Sequence, residues 1–474
     1  MKNKLLILVI LSFVAGAAFA KVTLPDILSD NMVLQQSTSV KLWGKASPNA
    51  TVKVQPSWAK MTTTVKTDNK GNWQTTIQTP VATFTPQTLT FSDGEVLTLK
   101  NILIGEVWLA SGQSNMEMPL NGFWNCPVKG ANETIALSGQ NKGIRFATVP
   151  KTPAYEPQET VAGKWMESNP NNAPWFSATA YHFAQTLYHS LDVPVGIIVC
   201  SWGGSRVESW TNRQILETYP DIDLTKKGIE DVQDWKRPLL MYNGMLKPLN
   251  NFTIKGFIWY QGESNVGKHA DYPTRFAAMV ELWRKDWGLG NLPFYYAEIA
   301  PWIYGDGELG TSGALLREAQ FKSQFIIPNS GMISTNDLVE EYEKTNIHPK
   351  NKTDVGKRLA YLALNQTYAF KNITAHGPEY KSMEVKDGKI ILSFNYAPDG
   401  FNRENDIRGF EICGSDKVFL PAVARLDNNN LKIILSNDQI PAPVAARYGF
   451  RNFQPGNLAN TRELPVVPFR TDNF

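Results

Sequence analysis

Three short polar turns hold most of the residues that could do chemistry. They are Ser111-Gly112-Gln113-Ser114-Asn115-Met116, Ser201-Trp202-Gly203-Gly204-Ser205-Arg206 and Gln261-Gly262-Glu263-Ser264-Asn265. Each joins glycine, which lets backbone N–H groups approach a ligand, to hydroxyl or amide side chains. Gly112 permits a tight turn that would set Ser114 near a helix start, where unpaired N–H groups favour a developing oxyanion. Met116 stands where the common α/β-hydrolase elbow carries its second glycine, so that elbow is disfavoured.

A serine nucleophile needs a base, and the chain has five histidines. His182 and His189 lie seven apart on one helical pattern and read as helix-face residues. His376 lies in a β-like tail, and His269 follows Ser264 by five residues. His348 precedes Pro349 in a loop between the last apolar strand and a helix, where a base would reach the strand ends. Elimination selects His348.

These residues must be positioned by strands and helices. Short apolar runs at Gly105 to Ala110, Val195 to Cys200, Gly256 to Tyr260, Pro293 to Ile299 and Gly331 to Ser334 read as strands buried on both faces. Phe276, Met279, Val280, Trp283 and Trp287 form a helical stripe stopped by Gly288. Ala180, Phe183, Ala184, Leu187 and Leu191 form another after Ser177, a good N-cap, and Val355, Leu359, Leu362 and Ala363 a third. Alternating strand and helix from residue 102 to about 370 predict an α/β fold, a doubly wound, mostly parallel sheet with helices on both faces. All three polar turns then fall at carboxyl strand ends, where such sheets bind ligands. Residues 216–238 are polar and read as an insertion. Residues 21–101 alternate apolar and polar between turns and predict a sandwich-like β domain, and 371–474 is again β-like.

The first twenty residues read as an address. Lys2 and Lys4 precede an apolar run, and Ala18-Phe19-Ala20 is a small-x-small cleavage site, so export after cleavage near Ala20 is expected. That run is shorter than the roughly 20 apolar residues a membrane span needs, and no later segment looks like one. Net charge is +3, with two of the positive charges in the leader, which gives no electrostatic reason to bind nucleic acid. Cys126, Cys200 and Cys413 are the only cysteines, and no Cys/His cluster has metal-ligand spacing. The 14 Trp, 16 Tyr and 23 Phe could stack on sugars, but most aromatic rings of a large domain belong to its core.

Longer blocks are more specific. The run from Gly105 through Ser111-Gly112-Gln113-Ser114-Asn115-Met116-Glu117 resembles the nucleophile block of the sialate O-acetylesterases, carbohydrate esterases of the SGNH hydrolase superfamily. Trp259-Tyr260-Gln261-Gly262-Glu263-Ser264-Asn265 resembles a second family block. Ile347-His348-Pro349-Lys350-Asn351-Lys352, followed by Val355-Gly356-Lys357-Arg358-Leu359-Ala360, resembles the histidine block. Asn31 to Gln36 and the ending Pro468 to Asp472 are also similar, so the likeness spans nearly the whole chain after the leader. It implies an SGNH-type fold and a serine esterase acting on O-acetylated carbohydrate, above all on O-acetylated sialic acids, without metal or organic cofactor. Carried over by position, Ser114 is the nucleophile and His348 the general base. The Ser114 N–H and Gly204, preferred to Gly203, form the oxyanion hole, completed by a side-chain amide from Gln261 or Asn265. Gln113, Asn115 and Arg206 are candidate substrate contacts; Arg206 could grip a sugar carboxylate or anchor its loop through Glu208.

The sequence departs from the superfamily at the third triad member. Thr345 stands three residues before the histidine, where many relatives carry aspartate, and Asn346 follows it. Glu263, Asp337 and Glu343 are the carboxylates within the chain's reach of His348 in space; failing them, a carbonyl or amide must set its tautomer. Two alternatives share the motifs: an esterase for acetylxylan or another polysaccharide, and a carbohydrate-binding protein with weak catalysis.

Overall fold

The computed structural model describes residues 21–474; the expected leader lies outside the described residues. Its organising element is strand β1, Val96–Gly112, which is continuously buried from Ile102 onward. The first half of β1 pairs antiparallel with Thr83–Ser92, and Val33–Gln35 lies parallel to Leu103–Gly105. The second half is the centre of a sheet whose other strands are β2 (Ile144–Thr148), β3 (Trp165–Glu167), β4 (Val195–Ser201), β5 (Gly256–Tyr260), β6 (Phe294–Ala297) and β7 (Ser330–Ile333). The order is β7-β6-β5-β1-β4-β2-β3. Every pairing among them is parallel except the one between β2 and β3.

Strand periodicity sorts the side chains of β1 onto two faces. Trp108 and Ala110 enter a core shared with helices α2 (Ala178–Leu191) and α5 (Lys352–Leu362). Val107 and Leu109 enter another, shared with α3 (Tyr272–Trp287) and α4 (Ser312–Ser323). The three helical stripes read from sequence are the buried faces of α3, α2 and α5, the last running into a π-turn at Ala363–Thr367. The predicted caps form as well. Ser177 accepts the Ala180 N–H at 3.1 Å, and Gly288 ends α3 in the left-handed region at φ +65°. This is the doubly wound sheet expected, with helices on both faces.

Outside that sheet, Ser39–Lys45 pairs with Asn72–Gln78, while Thr51–Pro56 pairs with Thr63–Lys66 and Thr83–Ser92. Residues 379–470 form two four-stranded antiparallel sheets around Ile390, Leu392, Ile412, Tyr448 and Phe469. The buried Arg317 of α4 holds this tail by donating to the carbonyls of Gly449 and Arg451. Between β4 and β5, residues 213–236 fold as short helical turns pinned by Asp221 to Arg275 at 2.6 Å and to Lys268 at 2.9 Å. Among the described residues no helix is long and apolar enough to cross a membrane.

Candidate active site

The chain places β4 and β5 on opposite sides of β1, so the carboxyl ends of these three strands face one crevice. Gly112 ends β1 at φ +133°, where a Cβ would run into the carbonyl of Tyr260 on β5, so glycine is required by both backbone and space. The turn throws Ser114 onto the first position of a short helix, α1 (Ser114–Glu117), whose Met116 and Glu117 amides bond to the Gln113 carbonyl. Among the described residues the Ser114 N–H has no acceptor.

The β4 turn lies directly against this serine: a Cβ on Gly203 would sit 3.3 Å from that of Ser114. The two glycines of the turn are not equivalent. Gly203 donates its N–H to Glu117 Oε2 at 2.6 Å, while Glu117 Oε1 pairs with Lys151 at 2.7 Å. Gly204, left-handed at φ +79°, has no acceptor for its N–H among the described residues. The half-exposed indole of Trp235 lies over Gly204, where any Cβ would strike it.

The β5 turn supports the others from below. Gln261 is fully buried; its Nε2 donates to the Ser205 carbonyl at 3.0 Å and to Asn265 Oδ1 at 2.8 Å, and its Oε1 accepts from Tyr272. Asn265 is buried too, taking the Val207 N–H and donating to Glu208, which pairs with Arg275 at 2.8 Å. Both donors of Gln261 are thus spent on the scaffold of the glycine turn, and Asn265 is tied into the same scaffold. Gln113 differs: its Oε1 takes the Gly262 N–H at 3.2 Å, and its NH₂ has no acceptor among the described residues. Arg206 donates its Nε to the Ser264 carbonyl at 3.0 Å. It makes no pair with Glu208, and the two terminal nitrogens of its guanidinium have no partner among the described residues.

Asn115 joins the nucleophile segment to the histidine loop. Its Nδ2 donates to Glu263 at 2.6 Å and to the Ile347 carbonyl at 3.1 Å, and its Oδ1 accepts from Lys352 at 2.6 Å. Fully buried and fully engaged, it is a tie between segments rather than a surface offered to substrate. Burial raises the Glu263 carboxyl above the usual range, and its Oε2 has no partner. Burial also brings the Lys352 ammonium down to about 7.

His348 is therefore carried on the loop that Asn115 ties to the nucleophile segment through the Ile347 carbonyl, and no hydrogen bond joins its side chain to that of Ser114. None of the three carboxylates considered from sequence bonds to its imidazole. Glu263 is held by Asn115, Asp337 is forked by Arg358 at 2.7 and 2.6 Å, and Glu343 accepts the backbone N–H groups of Glu340 and Lys350. Phe123 packs edge-on against the ring at 5.2 Å, and Cys126 Sγ lies 3.8 Å from Nδ1. Burial, and secondarily the charge of Lys352, lowers His348 to about 4, so the ring is neutral at ordinary pH. The other histidines are engaged elsewhere or lie apart from this loop: His182 contacts Thr353 and His376 contacts Gln366. Glu117, Cys126 and Trp235 were not singled out from sequence. Only Glu117 carried a signal, lying one helical turn after Ser114 inside the nucleophile block.

Comparison with known proteins gives this geometry its context. Residues 104–365 match the family model described as carbohydrate esterase, sialic acid-specific acetylesterase. The sialate O-acetylesterase of Mus musculus is 26% identical, over 98% of this chain and 97% of that protein. That of Homo sapiens is 28% identical, over 83% and 81%. Among solved structures, a carbohydrate acetylesterase from Xanthomonas citri is 35% identical with a TM-score of 0.84, covering 96% of this chain and all of that one. With its family blocks at the ends of β1 and β5 and in the loop before α5, the chain belongs to the sialic acid-specific acetylesterase family of carbohydrate esterases, and is a carboxylic ester hydrolase.

Proposed function

We propose that this chain is an exported serine esterase that removes O-acetyl groups from sialic acids, with Ser114 as nucleophile and His348 as general base. The observation that carries the reading is the pair of unclaimed N–H groups, on Ser114 and Gly204, on segments packed against each other beside the Ser114 side chain. His348 takes the proton from Ser114 Oγ as that oxygen attacks the acetyl carbonyl carbon. The carbonyl oxygen, now negative, accepts from the Ser114 and Gly204 N–H groups, with the Gln113 amide as third donor. Collapse breaks the bond to the sugar oxygen, which leaves with the proton held by His348. Water, deprotonated by His348, then attacks the acetyl-serine and releases acetate, restoring Ser114.

Sialic acid as the sugar is supported by the names of the relatives and by Arg206, whose unclaimed guanidinium fork suits a carboxylate. Export is supported by the leader sequence. Ser114→Ala should lower acetate release by at least about a thousandfold while the protein melts as wild type; appreciable turnover would refute the assignment. A panel of O-acetylated sialic acids and acetylxylan tests the sugar. Faster release from acetylxylan would replace the sialic acid reading with a polysaccharide one and leave the chemistry standing.

A further inference from the structure

The base of this site has no carboxylate behind it, yet its ring is not left without a partner. Cys126 lies in a tight turn, closed by reciprocal backbone bonds between Phe123 and Cys126 at 3.0 and 2.9 Å, and this turn covers one side of His348. Phe123 presses the ring edge-on, and the Cys126 sulfur reaches Nδ1 at 3.8 Å. On its other side the sulfur lies 3.4 Å from Asn346 Oδ1. That atom must be the amide oxygen, because it also accepts the His348 backbone N–H at 3.0 Å.

We propose that Cys126, backed by Asn346, is the positioning residue for the general base, standing where an acid stands in other serine hydrolases. The directions of donation follow from one another. An amide oxygen can only accept, so the thiol proton points to Asn346. The sulfur then offers its lone pair to Nδ1, which must carry a proton. This fixes the tautomer with Nε2 unprotonated, the form able to take a proton from Ser114. A neutral thiol orients the ring without adding charge to stabilise the imidazolium, in keeping with a base that is uncharged at rest. The titratable groups facing the imidazole are the Cys126 thiol, from the 123–126 turn, and the Lys352 ammonium at the start of α5.

The inference rests on His348 being the base, so the experiment separates the two. On the full chain with a simple aryl acetate, His348→Ala should abolish turnover; if it does not, the reading of the base fails. With that met, Cys126→Ala should lower kcat about tenfold at unchanged KM, because the ring loses its orienting partner. Cys126→Asp, whose carboxylate reaches one bond further than a thiol, should recover kcat. It should also move the acid limb of the pH profile upward, since a carboxylate stabilises imidazolium. Histidine ¹⁵N spectra, which need no variant, should show Nδ1 protonated in the wild type. Wild-type kcat in Cys126→Ala, an unmoved acid limb in a folded Cys126→Asp, or an unprotonated Nδ1 would each overturn the proposal.

Discussion

The nucleophile and the base occupy halves of the site that are built by different means. Around Ser114 the backbone does the positioning. Gly112, Gly204 and Gly262 sit at positive φ at the ends of three neighbouring strands, and buried amides from the β5 turn fasten the β4 turn to it. Around His348 there is no sheet. The imidazole rides on a loop held by side chains, namely Asn115 on Ile347, Glu343 on Lys350 and Lys352 on Pro349, with Phe123 and Cys126 against the ring. The difference teaches where tolerance lies. Donors fixed by a sheet cannot be moved without disturbing the sheet, whereas a ring held by side chains can be retuned one contact at a time.

Substitutions on the serine side should therefore have the largest effects after Ser114→Ala itself. Gly204→Ala places a Cβ against the Trp235 indole at a φ that other residues rarely adopt, displacing the open N–H. A fall in kcat of about 10²–10³ is expected, the range for losing one oxyanion donor. Wild-type kcat would show that Gly204 donates nothing. The two glutamines give a sharper contrast. Gln113→Ala should lower kcat by about tenfold or more, because its NH₂ serves the reaction, and should lower the melting point less than the Gln261 change, since it orphans one buried N–H rather than several partners. Gln261→Ala should instead cost roughly 1–3 kcal/mol of stability by orphaning the buried Ser205 carbonyl and Asn265. Measuring kcat and thermal melts for both variants decides it, and reversed results would exchange their roles.

These contrasts also show what could be read from sequence. The three turns were legible because strands buried on both faces are apolar throughout, so the polar residues that end them stand out. Strand β2 was not, because Arg145 interrupts its apolar run; that residue is buried while paired with Glu167 at 2.6 Å in the next strand and bonded to Asn101. Asn101 closes the predicted β domain and is left-handed at φ +57°, yet β1 continues through it, its pairing with Thr83–Ser92 resuming after a register shift, so that one strand serves both regions. Gln261 and Asn265 qualified as amide donors because a family block contains them, which says nothing of where their hydrogens are spent. Cys126 was invisible as a partner of the base because its loop has no periodicity, and only the folded chain brings residues 126, 346 and 348 together.

On the base side the expected effects are shifts. His348 must be neutral to accept a proton, and its folded value lies near 4, below the ordinary histidine range. The kcat/KM profile should thus hold its plateau through pH 6 and fall only as pH drops through about 4. A limb near 6.5 would mean that the loop leaves the ring solvated.

The smallest effect expected is on binding, and it tests whether the two halves share a wall. Trp235 comes from the stretch between β4 and β5, is 42% exposed and lies over Gly204. A sugar whose acetyl oxygen reaches the Gly204 N–H must pass this indole, whose face can stack on a pyranose ring. Trp235→Ala should raise KM several-fold for an acetylated sugar, the equivalent of about 1 kcal/mol, and leave kcat nearly unchanged. For a small aryl acetate, which has no sugar ring to stack, KM should hardly move. If KM rose equally for both, the indole would be acting as a wall of the acyl pocket. If kcat fell instead, Trp235 would belong with Gly204 to the rigid half, as the weight that keeps its N–H aimed at the oxyanion.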